Sequence, residues 1–192
     1  MEAGALRAPR TGPERAIALL IAGTSVRIVA VPIVMALVIG DHFTAAAIVF
    51  LGASATDWFD GRLARRWNVT TRLGSFLDTT ADKLLVAGAL VALLAVDRVS
   101  PWFAMLIIGR EFTLLGLRAA VEAHGSHLEP SMLGKWKATI QFAALGLAMI
   151  RPDVIIADAY LDQWAIGLAA LITVWSGVQY LVNFASALRA DT

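Results

Sequence analysis

The stretch TDWFDGRLARRWNVTTRLGSFLDTTADK, residues 56–83, decides how the rest of the chain is interpreted. It places four aspartates, Asp57, Asp60, Asp78 and Asp82, in a chain that is 58% hydrophobic and only 16% charged. An ordinary soluble domain has about 25% charged residues, and acidic side chains are costly near hydrocarbon. The composition therefore predicts a membrane protein, and the four aspartates need an explanation of their own.

Long apolar runs separated by short polar breaks predict six transmembrane helices, and therefore an all-α polytopic membrane protein. Each run is close to the roughly 20 residues that a membrane-spanning helix needs. The predicted spans are residues 16–40, 43–66, 75–96, 101–122, 132–151 and 162–188. We expect residues 1–15 to be an interfacial or disordered segment and residues 16–192 to form one membrane domain.

Charge distribution predicts the orientation of these spans. If the amino terminus is cytoplasmic, most lysines and arginines fall in cytoplasmic loops, and only Arg98 and Arg151 fall in loops on the other side. Cytoplasmic loops of membrane proteins carry an excess of basic residues, so both termini are expected inside. The net charge is +1, so basic character is local and we expect no nucleic-acid partner. The chain has no cysteine, which excludes disulfides and thiolate chemistry.

The spacing of the aspartates predicts that they form one cluster. Asp57 and Asp60 are three residues apart and Asp78 and Asp82 are four apart, so each pair lies on one face of a helix. In an antiparallel hairpin that turns near residue 69 or 70, the two pairs face each other. The apolar parts of both helices are short, so we expect the cluster in a water-filled cavity at the cytoplasmic edge of the bilayer.

Four carboxylates about 5 Å apart repel one another by about 3 kcal/mol per pair at an effective dielectric constant of 20. A positive group must therefore lie among them. Neighbouring arginines, with Arg65 the best placed, are the simpler explanation. Oxygen ligands without histidine or cysteine instead favour hard divalent cations. We predict a site for Mg²⁺ or Mn²⁺, with Ca²⁺ as an alternative.

The motif of this stretch resembles the signature of the CDP-alcohol phosphatidyltransferase family. It reads Asp57-x-x-Asp60-Gly61-x-x-Ala64-Arg65, followed by Gly74-x-x-x-Asp78-x-x-x-Asp82. Four further features are similar to the bacterial branch of that family that makes phosphatidylglycerol phosphate: Thr24-x-x-Arg27, Pro32, Arg110-Glu111 and Gly134-Lys135-Trp136-Lys137. One departure is Thr79, where that branch commonly has proline. The similarity fades after about residue 150.

This resemblance implies roles for individual residues. It implies that the four aspartates bind two divalent ions, Mg²⁺ or Mn²⁺, and that Asp82 is also the general base. It implies that Gly61, Arg65 and Thr71 contact the CDP group of CDP-diacylglycerol. It further implies a homodimer in a bacterial-type inner membrane, with an active site that opens to the cytoplasm.

Basic residues after the signature are candidates for binding the second substrate. They are Arg110, Arg118, Lys135 and Lys137. Arg110 lies in the middle of an apolar helix, where an unpaired cation is expensive, and the other three lie toward the predicted cytoplasmic side. Together they predict an anion pocket beside the acid cluster, sized for a phosphate such as that of glycerol 3-phosphate.

Structural roles for the same residues stay open. Arg110 could pair with Glu111 of a neighbouring subunit or with an acid of another helix. Lys135 and Lys137 could be ordinary anchors at the cytoplasmic interface. We expect Arg27 and Glu111 to form a structural ion pair rather than to bind substrate.

The leading hypothesis is an enzyme that transfers a phosphatidyl group from CDP-diacylglycerol to glycerol 3-phosphate and releases CMP. Another acceptor is the close alternative: phosphatidylglycerol, which would give cardiolipin, or an inositol phosphate. A divalent-cation transporter is a different class, since intramembrane acids also mark ion paths. A purely structural role is the third, and it predicts that Asp82→Asn changes little.

Overall fold

The structure, a computed structural model, describes residues 12–66, 72–123 and 132–190. Within these ranges the chain forms six α-helices: α1 (Gly12–Ile39), α2 (Phe43–Arg66), α3 (Arg72–Ala95), α4 (Pro101–Ala123), α5 (Met132–Ile150) and α6 (Leu161–Ala190). Each helix covers one of the six predicted apolar runs, so the all-α prediction is confirmed. One feature was not predicted: a short antiparallel hairpin of β1 (Ile155–Ile156) and β2 (Ala159–Tyr160) that joins α5 to α6.

The helices α1 and α3 end in the same way, on an aspartate in the left-handed region. Asp41 has φ 59° and Asp97 has φ 54°. The amides of the next residues, His42 and Arg98, donate to the carbonyls five residues earlier at 2.8 and 2.9 Å. This is the Schellman pattern, which satisfies carbonyls left open at a helix end. The chain then reverses direction within a few residues, so α2 packs against α1 and α4 packs against α3.

The helix α1 packs against both helices that carry the signature. Its contacts with α3 and α2 are the most extensive between any two elements in the described ranges, whereas α2 and α3 contact each other only slightly. Gly88 allows the close approach of α3, because a Cβ there would lie 2.6 Å from Cγ1 of Val31. On the other side α5 packs on α6 and α2, and α4 packs on α6 and α3. The aspartate-bearing helices are therefore positioned by α1.

The exterior of the bundle is apolar over long stretches. Large side chains such as Val29, Ile48, Leu171 and Trp175 are more than half exposed. Two segments of the described chain are long and apolar enough to cross a membrane by length and composition, Ala22–Ile39 in α1 and Leu161–Val182 in α6. Shorter apolar helical segments cover Phe43–Thr56 and Trp136–Ile150.

A polar clamp holds the helix ends at the end of α3 opposite its aspartates. The guanidinium of Arg98 donates to the last carbonyls of α5, those of Ala148 and Met149, at 3.2 and 2.7 Å. Arg151 donates to Asp162 of α6 at 3.1 Å and to the carbonyl of Arg98 at 3.1 Å. Burial lowers the pKa of Arg98 from its ordinary value, and the neighbouring charge of Arg151 lowers it further. The clamp ties α3, α5 and α6 together.

Candidate active site

The signature residues lie at the adjoining ends of α2 and α3. The backbone of α2 includes five of them near its carboxyl end: Asp57, Asp60, Gly61, Ala64 and Arg65. Their side chains are outside the described part of the structure, and Thr71 is outside the described residues altogether. The predicted grouping of all four carboxylates therefore stays a prediction. The structure does describe the side chains of Asp78 and Asp82 on α3.

Asp78 and Asp82 share one buried cation. Nη1 of Arg27 on α1 lies 2.8 Å from Oδ1 of Asp78 and 3.1 Å from Oδ1 of Asp82, and it also donates to the backbone carbonyl of Asp78 at 3.3 Å. The hydroxyl of Thr24, one turn earlier on α1, donates to Oδ1 of Asp78 at 3.5 Å. Thr24 and Arg27 thus hold both aspartates on one face of α3.

This contact corrects one expectation. Arg27 does not form the predicted pair with Glu111, because α1 packs on α3 while Glu111 lies on α4. Arg27 pairs with Asp78 and Asp82 instead. Its position three residues after Thr24 places both side chains on the face of α1 toward α3.

The pair of carboxylates on α3 suits a cation. Arg27, which is 1% exposed, contacts both carboxylates, and the two aspartate side chains remain 25% exposed. The arginine therefore neutralises part of the charge from the buried side. Among the side chains that the structure describes, no third acid or histidine completes a metal-binding group. Carboxylate oxygens are the ligands that Mg²⁺ and Mn²⁺ prefer, so this donor set fits a divalent ion.

A cavity of about 340 Å³ opens beside Asp82. It is enclosed by α3, α4, α5 and α6, and three of the four basic residues proposed from the sequence line it: Arg110, Arg118 and Lys137. The fourth, Lys135, belongs to α5, but its side chain is outside the described set. Four basic side chains and two acidic ones line the cavity, so positive charge is in excess when all are ionised. A small dianion such as a phosphate monoester fits that charge.

Glu111 is the acid at the centre of these cations. Its side chain is 2% exposed and pairs with Lys83 of α3 and Lys137 of α5. Arg110 also donates to it, from Nη1 to Oε1 at 3.3 Å. The sequence left open a pair of Arg110 with Glu111 of a neighbouring subunit or with an acid of another helix; in the structure Arg110 instead pairs with the Glu111 of its own chain, the next residue on α4. The carboxylate brings three cations from three helices to one wall of the cavity.

Arg110 has a second anchor on α6. Its Nη2 donates to Oγ of Ser176 at 2.8 Å, and the Ser176 hydroxyl donates in turn to the carbonyl of Thr173 at 3.0 Å. The guanidinium is therefore fixed at both of its terminal nitrogens. This geometry orients it relative to the cavity, which Arg110 and Ser176 both line.

Four polar residues of the cavity wall were missed by the sequence analysis: Lys83, Gln141, Ser176 and Tyr180. Lys83 directly follows Asp82, and this adjacency was the signal in the sequence that could have identified it. Thr173, Ser176 and Tyr180 are spaced by three and four residues, so they form a polar stripe on one face of a largely apolar helix. That stripe was a readable signal.

Over the described residues, six helices with an apolar exterior surround a polar, cation-lined cavity next to paired carboxylates, which is typical of a helical membrane protein that binds an anion. A sequence model of the CDP-alcohol phosphatidyltransferases matches residues 19–175. The chain belongs to the CDP-alcohol phosphatidyltransferase family, whose members are polytopic membrane proteins and generally use divalent metal ions.

Curated relatives narrow the comparison. The chain is 42% identical over 153 residues to proteins of Escherichia coli (strain K12), Escherichia coli O157:H7 and Shigella flexneri serotype 5b, each named CDP-diacylglycerol–glycerol-3-phosphate 3-phosphatidyltransferase. The similarity covers 77% of this chain and 80% of each relative.

Proposed function

We propose that this chain transfers the phosphatidyl group of CDP-diacylglycerol to glycerol 3-phosphate, giving phosphatidylglycerol phosphate and CMP. The observation that carries the proposal is the 42% identity, over 77% of the chain, to proteins named for this reaction. The cavity supports it independently. About 340 Å³ is at the low end of the ~300–1,000 Å³ of small-molecule sites, so it suits a small phosphorylated alcohol better than a second lipid.

In this proposal Asp82 is the catalytic base. It lines the cavity that would hold the acceptor and is fixed by Arg27 at 3.1 Å. Its carboxylate takes the proton of the acceptor hydroxyl while the hydroxyl oxygen forms a bond to the β-phosphorus of CDP-diacylglycerol. The bond between that phosphorus and the oxygen bridging to CMP breaks, and CMP leaves with the bonding electrons. Because base and acceptor are held side by side in one complex, the reaction avoids much of the entropy cost of bringing them together.

The remaining signature residues are assigned to the CDP group and to metal. Asp57, Asp60, Asp78 and Asp82 would hold two divalent ions, Mg²⁺ or Mn²⁺. When bound, such ions neutralise the diphosphate and stabilise the leaving group. The CDP contacts are assigned to Gly61, Arg65 and Thr71, a close backbone approach, a phosphate clamp and a hydroxyl.

The acceptor phosphate is assigned to the basic wall of the cavity. Arg110, Arg118 and Lys137 line it, and Lys135 lies two residues before Lys137 on α5. Arginine binds phosphate through two parallel N–H donors, and lysine adds a compact charge. Lys83 is a further cation of the same wall, held by Glu111.

The cellular setting follows from the same reasoning. We place all six helices across the membrane with both termini in the cytoplasm, because that orientation puts most basic residues inside. The site then opens to the cytoplasmic leaflet, and the functional unit is a homodimer in a bacterial inner membrane. Membership of an enzyme family argues against the cation transporter.

Product formation tests the acceptor. Purified protein in mixed micelles receives CDP-diacylglycerol, Mg²⁺ and one acceptor at a time: glycerol 3-phosphate, phosphatidylglycerol or an inositol phosphate. CMP release and the lipid product are measured. We expect rapid turnover when the acceptor is glycerol 3-phosphate and none with the other two acceptors. Turnover with another alcohol and none with glycerol 3-phosphate would overturn the proposal.

A further inference from the structure

Two residues that line the cavity carry a buried polar atom for which the described part of the chain offers no hydrogen-bond partner. These atoms are Nε of Arg110 and the hydroxyl of Tyr180. Buried polar groups in native proteins are nearly always hydrogen-bonded. Nε–H is a donor, and a phenol hydroxyl both donates and accepts. An oxygen-rich molecule in the cavity would provide partners for both.

The helix α6 fixes the position of Arg110 relative to Tyr180. Ser176 accepts from Nη2 of Arg110 at 2.8 Å, while the other terminal nitrogen donates to Glu111. Gly177 leaves room for the stem of the arginine, because a Cβ at that position would lie 3.2 Å from Cγ and 3.5 Å from Nε of Arg110. Each terminal nitrogen uses one N–H in these bonds and keeps a second, while the buried Nε–H has no hydrogen-bond partner among the described residues and is available to another molecule.

These α6 residues follow directly after residue 175, where the match to the family's sequence model ends. Ser176, Gly177 and Tyr180 follow it immediately and still form one wall of the cavity or support it. The wall they complete faces the basic groups of α3, α4 and α5. The argument for a binding role of these residues therefore rests on the geometry of this chain.

We infer that the segment Ser176–Tyr180 of α6 binds the acceptor alcohol, with the hydroxyl of Tyr180 hydrogen-bonded to an oxygen of the acceptor. Ser176 and Gly177 are positioning residues, which hold Arg110 so that its Nε–H bonds the same molecule. The inference rests on the proposed function, since it takes the acceptor of that reaction as the occupant of the cavity. The ligand that suits this site is a small polyol phosphate.

Tyr180→Phe is the direct test, because it removes one hydroxyl and keeps the ring. The chain has a second tyrosine, Tyr160, in β2 at the far end of the bundle, so Tyr160→Phe is a matched control. We expect the KM for glycerol 3-phosphate to rise about tenfold in Tyr180→Phe, as loss of one hydrogen bond to a charged ligand predicts. The KM for CDP-diacylglycerol and the melting temperature should stay at wild-type values in both variants.

Other outcomes separate the two proposals. An unchanged KM for glycerol 3-phosphate in Tyr180→Phe, with normal turnover by the wild type, would overturn the inference alone. A fall in melting temperature with no change in KM would also overturn it, since the hydroxyl would then serve the fold. If the wild type uses a different alcohol, the proposed acceptor fails. The same pair of variants is then assayed with that alcohol, and an unchanged KM overturns the inference.

Discussion

The guanidinium of Arg27 lies 3.1 Å from Oδ1 of Asp82, so the first helix of the chain contacts the last aspartate of the signature. Arg27 is 1% exposed, whereas the aspartate is 25% exposed. The arginine thus holds the carboxylate from its buried side and leaves it accessible from the cavity, which Asp82 lines. A residue some fifty positions before the aspartate sets the orientation of the proposed base.

Asp82→Asn should abolish phosphatidyl transfer and leave the fold intact. Asparagine has nearly the same shape but cannot take a proton, and loss of a general base costs about 10²–10⁴ in rate. Arg27 keeps its contact with Asp78 at 2.8 Å, so no buried cation is left unpaired. CMP release and the melting temperature in detergent measure the two effects.

The matched control for this variant is Asp158→Asn, in the exposed turn of the β-hairpin. Asparagine tolerates the φ of 62° found there, so activity should be normal. If Asp82→Asn keeps activity near the wild-type level, Asp82 is not the general base, and a structural role for the aspartates is favoured.

Arg27→Met should destabilise the protein in a metal-dependent way. Removing one partner of a buried ion pair costs about 3–5 kcal/mol, and partial exposure of Asp78 and Asp82 places the expected loss at the lower end. Divalent ions bound by the same carboxylates would replace the lost positive charge. Unfolding measured with and without Mg²⁺ should therefore show that Mg²⁺ raises the free energy of unfolding more in the variant than in the wild type. Arg27→Lys keeps a cation, so its stabilisation by Mg²⁺ should lie between those of the wild type and Arg27→Met. Equal stabilisation of all three proteins would contradict the assignment of Asp78 and Asp82 as metal ligands.

Removal of divalent ions should stop turnover reversibly. Family members generally use such ions, and carboxylates supply oxygen ligands suited to Mg²⁺ and Mn²⁺. A chelator should reduce CMP release to background, and added Mg²⁺ or Mn²⁺ should restore it. Ca²⁺ is the informative comparison, because its larger and more flexible coordination shell should bind the site and support little turnover. Full activity in excess chelator would exclude the metal-dependent mechanism.

The sequence predicted the helices well because each contains an apolar run bounded by polar residues, a pattern that depends only on local composition. The β-hairpin escaped prediction for a physical reason. Its turn residues, Ala157 and Asp158, both have positive φ, of 48° and 62°. Such turns are usually signalled by asparagine and glycine, and neither occurs here.

Ion pairing was the part of the site that sequence could not predict. Arg27, Lys83 and Lys137 could each reach several acids from their positions along the chain. Their partners follow from helix packing: α1 on α3 brings Arg27 to Asp82, and the meeting of α3, α4 and α5 brings both lysines to Glu111. Spacing along a helix gives the face of a residue, but it does not give the neighbouring helix.

Ser176→Ala and Gly177→Ala should both weaken acceptor binding by disturbing Arg110. The first removes the oxygen 2.8 Å from Nη2, and the second places a methyl group 3.2 Å from Cγ. Arg110 would lose one of its two anchors in Ser176→Ala, and the lost bond to a charged group, about 1.5–3 kcal/mol, is the upper limit of the effect on binding; we therefore expect the KM for glycerol 3-phosphate to rise by at most about tenfold in Ser176→Ala and less in Gly177→Ala. Steady-state kinetics with CDP-diacylglycerol in excess measure this.

Gly167→Ala is the control for the glycine variant. It lies in the same helix, and its Cβ would meet only Cζ of Phe103, at an ordinary 4.0 Å. Both alanines gain about the same helix propensity, so a difference in KM between them reports the contact with Arg110. Identical kinetics in Gly177→Ala and Gly167→Ala would mean that Arg110 is not oriented by α6.

Glu111→Gln should produce a protein that anions stabilise more than they stabilise the wild type. Glu111 is buried and faces Lys83, Lys137 and Arg110. Removing its charge leaves these cations without their common partner, at a cost of roughly 3 kcal/mol. Glycerol 3-phosphate supplies negative charge to the same wall, so the ligand should raise the melting temperature by several degrees more in the variant than in the wild type.

A second buried acid distinguishes this effect from general destabilisation. Asp162 is 0% exposed and pairs with Arg151 at the opposite end of the bundle. Asp162→Asn should lower the melting temperature comparably, because it also breaks a buried ion pair, yet glycerol 3-phosphate should stabilise it no more than the wild type. An equal response of Asp162→Asn and Glu111→Gln to the ligand would show that the acceptor phosphate does not bind at the cations around Glu111. A response confined to Glu111→Gln would place the phosphate among them, in the cavity that Tyr180 and Asp82 also line.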